Sequence, residues 1–388
     1  MLVEGEEIMP QRVSFHDFLI LGFCFLCITG IALGGCGGSA SASSNSGSGN
    51  STPPSYSQMA ADDVQTLQGW YSQSSGLYAT GWWHSANAIT ALANYERVSG
   101  DSAYLSVLSN TFTAAQVSHP NFINSYYDDQ GWWALAWIDA YDLTKNASYL
   151  SMAETIFANM ATNGWDTTVC GGGVWWSTAK TYKNAIPNEL FLAIAAKLAN
   201  RTTGSASTAY LNWAQKEWTW FKASGMINAQ NLVNDGLNST NPSACVNNGK
   251  TTWTYNQGVI LGGLVELYQA DQDATLLPQA EAIAGAAMVN LSTNGILTEP
   301  GALSGGDGPQ FKGIFMRNLM ALYEALPVTN TLRTQYKAFA GANAASIWTN
   351  DQGPNHEFGG IWQGPFDSAD ATRQSSALDA LIAADAMQ

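Results

Sequence analysis

The sequence predicts an all-α fold, a single-domain (α/α)6 toroid built as a barrel of six helical hairpins. Two observations predict it. Apolar residues recur at helical spacing in twelve separate stretches between residue 60 and the C-terminus. Every second stretch is entered through a motif rich in aromatic, amide or charged groups. If neighbouring helices alternate in direction, all six entries lie at one end, where the inner helices form a barrel and their N-termini line a cleft. A TPR-like solenoid is the rival architecture, but no repeat consensus of that period is present.

Residues 1–35 read as a lipoprotein signal rather than as structure. Arg12 precedes an almost wholly apolar run from 18 to 33, which closes in Leu33-Gly34-Gly35-Cys36. Cys36 is the expected lipidation site. Glu4, Glu6 and Glu7 weaken the basic start of the signal, so translation is expected to begin at Met9. A membrane span is disfavoured because the run is short and ends in small residues. Residues 36–57, nearly all Gly, Ser, Ala, Asn, Thr and Pro, form a flexible tether, and 58–388 form the domain.

Within the domain the predicted helices cover 60–71, 83–99, 103–117, 131–143, 149–163, 185–200, 206–224, 257–271, 276–291, 311–326, 332–349 and 369–387. The run from Cys170 to Trp176 is glycine-rich and then aromatic, which favours an extended loop or short strand. Ala193, Ala195, Ala196, Gly262 and Gly263 lie on even-numbered helices and suit close packing inside a barrel.

Composition narrows the ligand. The formal net charge is −15 with only 15 Lys and Arg, which excludes a nucleic-acid footprint and leaves membrane contact to the lipid anchor alone. Charged residues make up 12% of the chain beside 15 Trp and 15 Tyr, a balance that points to a neutral ligand with flat faces. Neither an HExxH motif nor a cluster of the four histidines with acids is present, so a zinc site is not expected, and chemistry by paired carboxylates would need neither a metal nor an organic cofactor. Cys24 and Cys27 fall in the signal. Cys170 and Cys245 remain, either bonded or as two buried thiols.

The most informative stretch is Tyr126-Tyr127-Asp128-Asp129-Gln130-Gly131-Trp132-Trp133. Two acids stand at the start of an apolar helix, and two readings compete. Asp is favoured at a helix N-terminus as a cap and in the first turn, where it suits the positive end of the macrodipole. Adjacent Cα atoms about 3.8 Å apart also let two side chains reach the separation of about 5 to 5.5 Å that a retaining glycosidase needs. The neighbouring tryptophans and tyrosines offer faces for sugar rings.

Tyr127-Asp128-Asp129-Gln130-Gly131-Trp132-Trp133, Cys170-Gly171-Gly172-Gly173-Val174-Trp175-Trp176, Tyr182-Lys183-Asn184-Ala185, Trp253-Thr254-Tyr255-Asn256-Gln257-Gly258 and Phe311-Lys312-Gly313 together resemble glycoside hydrolase family 76. The resemblance spans nearly the whole domain. It implies an (α/α)6 fold and an endo-acting, retaining α-1,6-mannanase, with Asp128 as nucleophile and Asp129 as acid/base. The chemistry of the position agrees: a helix N-terminus favours the ionised nucleophile, and the anion beside it raises the second carboxyl so that it keeps its proton. Trp82, Trp83, Trp132, Trp133 and Trp176 are candidates to stack on mannose rings. Asn87, Asp235, Tyr255, Asn256, Gln257 and Lys312 are candidates for hydrogen bonds to hydroxyls, with Asp235 equally suited to an Asp-Gly turn. Glu189 reads as a buried partner for Lys183. Bacterial members often carry a cysteine where Ser304 stands here, which puts in doubt a disulfide from that loop to Cys170 or Cys245.

The expected partner is α-1,6-linked mannan or a manno-oligosaccharide, met by an exported, lipid-anchored monomer on the bacterial cell envelope. A glycan-binding surface lipoprotein without turnover, a transglycosylase and another α-toroid carbohydrate enzyme are the rival readings.

Overall fold

The computed structural model describes residues 53–388 except 239, 302, 304 and 305. The signal segment, Cys36, residues 36–52 of the tether and Ser304 lie outside the described residues. All twelve predicted helices are present: α1 (Tyr56–Leu67), α2 (Trp82–Ser99), α3 (Leu105–Ala114), α4 (Tyr127–Thr144), α5 (Ala147–Asn159), α6 (Ala185–Arg201), α7 (Gly204–Ala223), α8 (Thr254–Asp271), α9 (Leu276–Asn290), α10 (Gly308–Ala325), α11 (Leu332–Asn350) and α12 (Ala371–Ala386). Two minimal hairpins, β1 (Tyr71–Ser72) with β2 (Leu77–Tyr78) and β3 (Ser292–Thr293) with β4 (Ile296–Leu297), decorate the connections.

The even helices close a ring: α2 packs on α4, α4 on α6, α6 on α8, α8 on α10, α10 on α12, and α12 on α2. α5, α7 and α9 lie outside against α4, α6 and α8, while α1 and α11 pack on α12. Sequence explains the sorting. On α8 every residue from Thr254 to Leu267 is buried, so the helix has no face for water, whereas α7 buries only Ala214, Glu217, Trp218 and Phe221. Glycine sets the spacing at two seams. A Cβ on Gly258 would stand 2.6 Å from the Phe315 Cα of α10, and one on Gly313 would stand 2.6 Å from the Ser376 Cα of α12.

Boundaries moved for local reasons. α1 starts at Tyr56, inside the expected tether, because Ser55 caps it by accepting from the Gln58 amide at 3.2 Å. α4, α8 and α10 each begin three or four residues earlier than periodicity indicated, which brings their polar entries into the first helical turn. α5 ends at Asn159 and runs into a π-turn, Met160–Gly164.

Side chains of the inner helices meet inside the ring. At the N-terminal end of the inner helices, four rings form a closed set: Trp83 to Trp132 (5.6 Å between centroids), Trp132 to Tyr255 (6.4 Å), Tyr255 to Phe311 (3.8 Å) and Phe311 to Trp83 (6.1 Å). Two of these contacts join non-adjacent helices, so the rings lie within the barrel. Deeper in, Arg317 of α10 donates to Asp379 of α12 at 2.9 Å and to Asn87 of α2, and its guanidinium lies 5.9 Å from the Trp132 ring.

Gly313→Ala should be destabilising by about 1–3 kcal/mol through overpacking of the α10–α12 seam. A urea-unfolding midpoint unchanged from wild type would show that the seam yields.

Candidate active site

Neither aspartate of α4 is its N-cap, and both stand in the first turn, where the helix dipole favours an acid. Tyr126 is the N-cap and makes no side-chain cap bond. Each aspartate is also held by a specific donor: the Trp176 indole N–H donates to Asp128 Oδ2 at 2.9 Å, and the Asn124 amide donates to Asp129 Oδ2 at 2.6 Å. Asp128 is half-buried, whereas Asp129 is only 1% exposed.

Backbone pairing between the entry loops fixes these side chains relative to one another. Tyr127 N donates to Trp176 O at 2.9 Å, Trp176 N to Tyr182 O at 2.8 Å, Ala185 N to Asp235 O at 2.8 Å, and Asp235 N to Thr251 O at 3.0 Å. The entries of α4, α6 and α8 are thereby laced along one edge of the mouth. The Cys170–Cys245 disulfide, which closes a 75-residue separation with Cα atoms 5.3 Å apart, ties the same loops together from outside. Lys183 organises the 166–173 loop from within, donating to the carbonyls of Asp166, Val169 and Gly172 at 2.7, 2.6 and 2.6 Å. Its acidic partner is Asp166 at 3.5 Å, not Glu189.

Three mouth carboxylates share one device. Asp128 takes an indole N–H from Trp176, Asp235 one from Trp253 at 3.1 Å, and Asp307 one from Trp83 at 3.0 Å. Asp235 also accepts from the Tyr182 hydroxyl, and the His84 ring lies 3.2 Å from Asp307. Burial raises Asp235 above the ordinary carboxylate range, while the hydrogen bonds from Tyr182 and Trp253 pull it back. Tyr255 lies beneath them all. Burial first, then the charges of Asp235, Asp128, Glu189 and Asp307, push its hydroxyl well above the usual range. The result is an acidic rim over an aromatic floor.

The predicted binding residues divide accordingly. Trp176, Asp235, Trp83, Trp132 and Tyr255 meet at this rim and floor. Trp82 is half-buried, with His119 stacked on it at 4.0 Å. Five assignments are corrected. Trp133 is fully buried among Trp82, Phe122 and Trp137 and offers no face to a sugar. Asn87 is fully buried against Arg317. Gln257 spans the Val233 backbone, accepting from its N–H at 2.7 Å and donating to its carbonyl at 2.9 Å. Asn256 is fully buried on α8. Lys312 is 1% exposed and donates to the Gly360 carbonyl at 2.6 Å; burial drives its ammonium down to about 8 against the pull of Glu299, Asp351 and Asp367. Asn124, Trp253, Asp307 and Tyr182 were missed. A buried indole or phenol needs a polar partner, which was the available signal for Trp253 and Tyr182.

The fold is thus a six-hairpin toroid with a tandem carboxylate pair and a cluster of aromatic rings at one end of its inner helices. The chain belongs to glycosyl hydrolase family 76, whose model matches residues 55–388. It is 28% identical over 292 residues to a mannan endo-1,6-alpha-mannosidase of Candida albicans, covering 68% of this chain, and 26% identical over 283 residues to a putative mannan endo-1,6-alpha-mannosidase of Schizosaccharomyces pombe, covering 67%. The aligned part spans 63% of the length of each of those relatives. The fold superposes on the alpha-1,6-mannanase of Salegentibacter sp. HEL1_6 with a TM-score of 0.78 at 24% identity, over 86% of this chain and all of that one. An inactive variant of that enzyme, with two consecutive aspartates changed to asparagine and alpha-1,6-mannotriose bound, matches with a TM-score of 0.77 at 23% identity over 86% and 100% of the two chains.

Cys245→Ser should remove about 2–4 kcal/mol of stability by freeing the loop. Urea unfolding of the wild type with and without dithiothreitol checks it: the reduced wild type should match the variant.

Proposed function

We propose that the protein cleaves internal α-1,6-mannosidic bonds of mannan with retention of configuration. The observation that carries this reading is the consecutive Asp128 and Asp129 in the first turn of α4, each with its own donor, at the rim of an aromatic floor. The naming of the relatives as mannan endo-1,6-alpha-mannosidases supports it, as does the consecutive aspartate pair altered in the inactive mannotriose-bound enzyme.

In the proposed reaction Asp128, ionised at the helix N-terminus, attacks the anomeric carbon as the bond from that carbon to the glycosidic oxygen breaks. Asp129 gives its proton to the departing oxygen, which leaves as a sugar hydroxyl. The sugar is then esterified to Asp128. Asp129, now a carboxylate, takes a proton from water as the water oxygen attacks the same carbon and releases Asp128. Two inversions give net retention. The Trp176 indole holds Asp128 through both steps, and the rings of Trp83, Trp132 and Tyr255 form the floor on which the sugar is processed. The reading extends to an exported monomer tethered to the envelope through a lipid on Cys36.

Proton NMR of early product from linear α-1,6-mannan tests the stereochemistry. The α-anomer should appear first; β-anomer first would mean inversion and would overturn the nucleophile role of Asp128. Trp176→Phe, which keeps the ring but deletes the donor, should lower kcat by about tenfold, the worth of one hydrogen bond to a charged group. Equal kcat in a correctly folded variant would remove Trp176 from the mechanism.

A further inference from the structure

One connected set of amides runs from the outer layer of the barrel to Asp129. Asn163, in the π-turn that ends α5, donates through Nδ2 to Asn159 Oδ1 at 2.8 Å. Asn159 Nδ2 donates to Gln130 Oε1 at 2.7 Å, and Gln130 Nε2 donates to the Asn124 carbonyl at 2.7 Å. Asn124 Nδ2 in turn donates to Asp129 Oδ2 at 2.6 Å. The direction of these bonds is not arbitrary. Asn124 Oδ1 accepts from the Tyr126 backbone N–H at 2.9 Å, and a backbone amide can only donate, so the Asn124 NH2 must face Asp129. Gln130 is oriented in the same way, because the Asn124 carbonyl can only accept.

The segment carrying Asn124 is itself pinned. Phe122 is fully buried among Phe112, Trp82, Trp133 and Trp137, and 120–122 forms a single turn of 3-10 helix. Asn124 therefore presents its donor from a fixed backbone. The feature stands outside the residues that touch the sugar in the proposed reaction.

We propose that Asn124 is the positioning residue of the acid/base, holding Asp129 in place and fixing which of its two oxygens carries the proton. This rests on the role given above to Asp129. A proton on Oδ2 would point at an NH2 group that has none of its acceptor capacity to offer, so the transferable proton resides on Oδ1. The same bond favours the ionised form that Asp129 must adopt when it activates water. His119 lies close enough for the Asp129 charge to act on it, and burial lowers the His119 pKa below the ordinary imidazole value. Asp128 is the acid next to Asp129 on α4.

Two variants test the assignment. Asn124→Ala removes the donor. Asn124→Asp keeps an oxygen for the Tyr126 N–H, and so the local turn, but turns an acceptor of like charge toward Asp129. Without the donor the ionised form loses support and the Asp129 pKa rises, so the alkaline limb of kcat/KM should move up by about one pH unit in Asn124→Ala and further in Asn124→Asp. Substrates with different leaving groups give a second readout. With α-1,6-mannotetraose, whose leaving oxygen needs the proton, kcat/KM should fall about tenfold or more. With a 2,4-dinitrophenyl α-1,6-mannobioside, whose leaving group needs none, the fall should be under about threefold.

Equal losses on both substrates with an unmoved alkaline limb, in variants that keep the wild-type circular dichroism and unfolding midpoint, would reduce Asn124 to a structural residue. Asp129→Ala is assayed in parallel on the dinitrophenyl substrate with azide. Rescue as the α-mannosyl azide verifies the acid/base role independently, and then an unmoved limb overturns the assignment of Asn124 alone. Absence of rescue overturns the role of Asp129, and the inference falls with it.

Discussion

The mouth of this barrel exists because six helices approach one another closely enough to close a ring. That closeness is a backbone matter. At Gly258 and Gly313 the neighbouring main chain occupies the place a Cβ would take, so α8, α10 and α12 meet through main-chain atoms rather than through side chains. Close seams leave the side chains at the N-terminal ends only two directions: inward, where Trp83, Trp132, Tyr255 and Phe311 meet, or upward into the entry loops. The rim of carboxylates and the aromatic floor are therefore two products of one packing constraint.

Buried cations then hold the loops that the helices leave unsupported. Lys183 puts its ammonium among three carbonyls of the 166–173 loop, a place where other proteins use a metal ion to gather backbone oxygens. Lys312 does similar work between α10 and the 351–370 connection, close to Asp351 and Glu299, both pushed up to about 8 by burial. Burial acts on all three in the direction that disfavours charge, raising the two carboxyls and lowering the ammonium. A chain with a formal charge of −15 thus places two of its few lysines inside the fold.

The parts that could be read from sequence are those whose information is local. Helical periodicity identified all twelve helices, and the aromatic and polar entries identified the inner set, because both patterns are written within a single turn or two. Asp128 and Asp129 were legible because they are consecutive. Trp83 and Asp307 are 224 positions apart, so their pairing is a property of the closed ring, whereas Asp235 and Trp253, 18 positions apart in the connection between α7 and α8, are brought together by the course of that loop. Polar residues on inner helices were misread for the complementary reason. Asn87, Gln257 and Lys312 have the right chemistry for a sugar hydroxyl, but a helix buried on every side must satisfy its polar groups internally, and the nearest partners are Arg317, Val233 and Gly360.

The four-ring floor also acts as a dielectric boundary. On one side of it lie the half-buried carboxylates of the rim; on the other the Arg317–Asp379 pair is buried within the lumen. Charges at such a boundary are screened from one side only, so their mutual influence is stronger than equal spacing in water would allow. A sugar resting on the floor would replace that remaining water with its own weakly polarisable body. In the proposed reaction, occupancy of the cleft would thereby sharpen the field of Asp128 and its neighbours as positive charge gathers on the ring carbon, and the ligand itself would complete the medium in which it reacts.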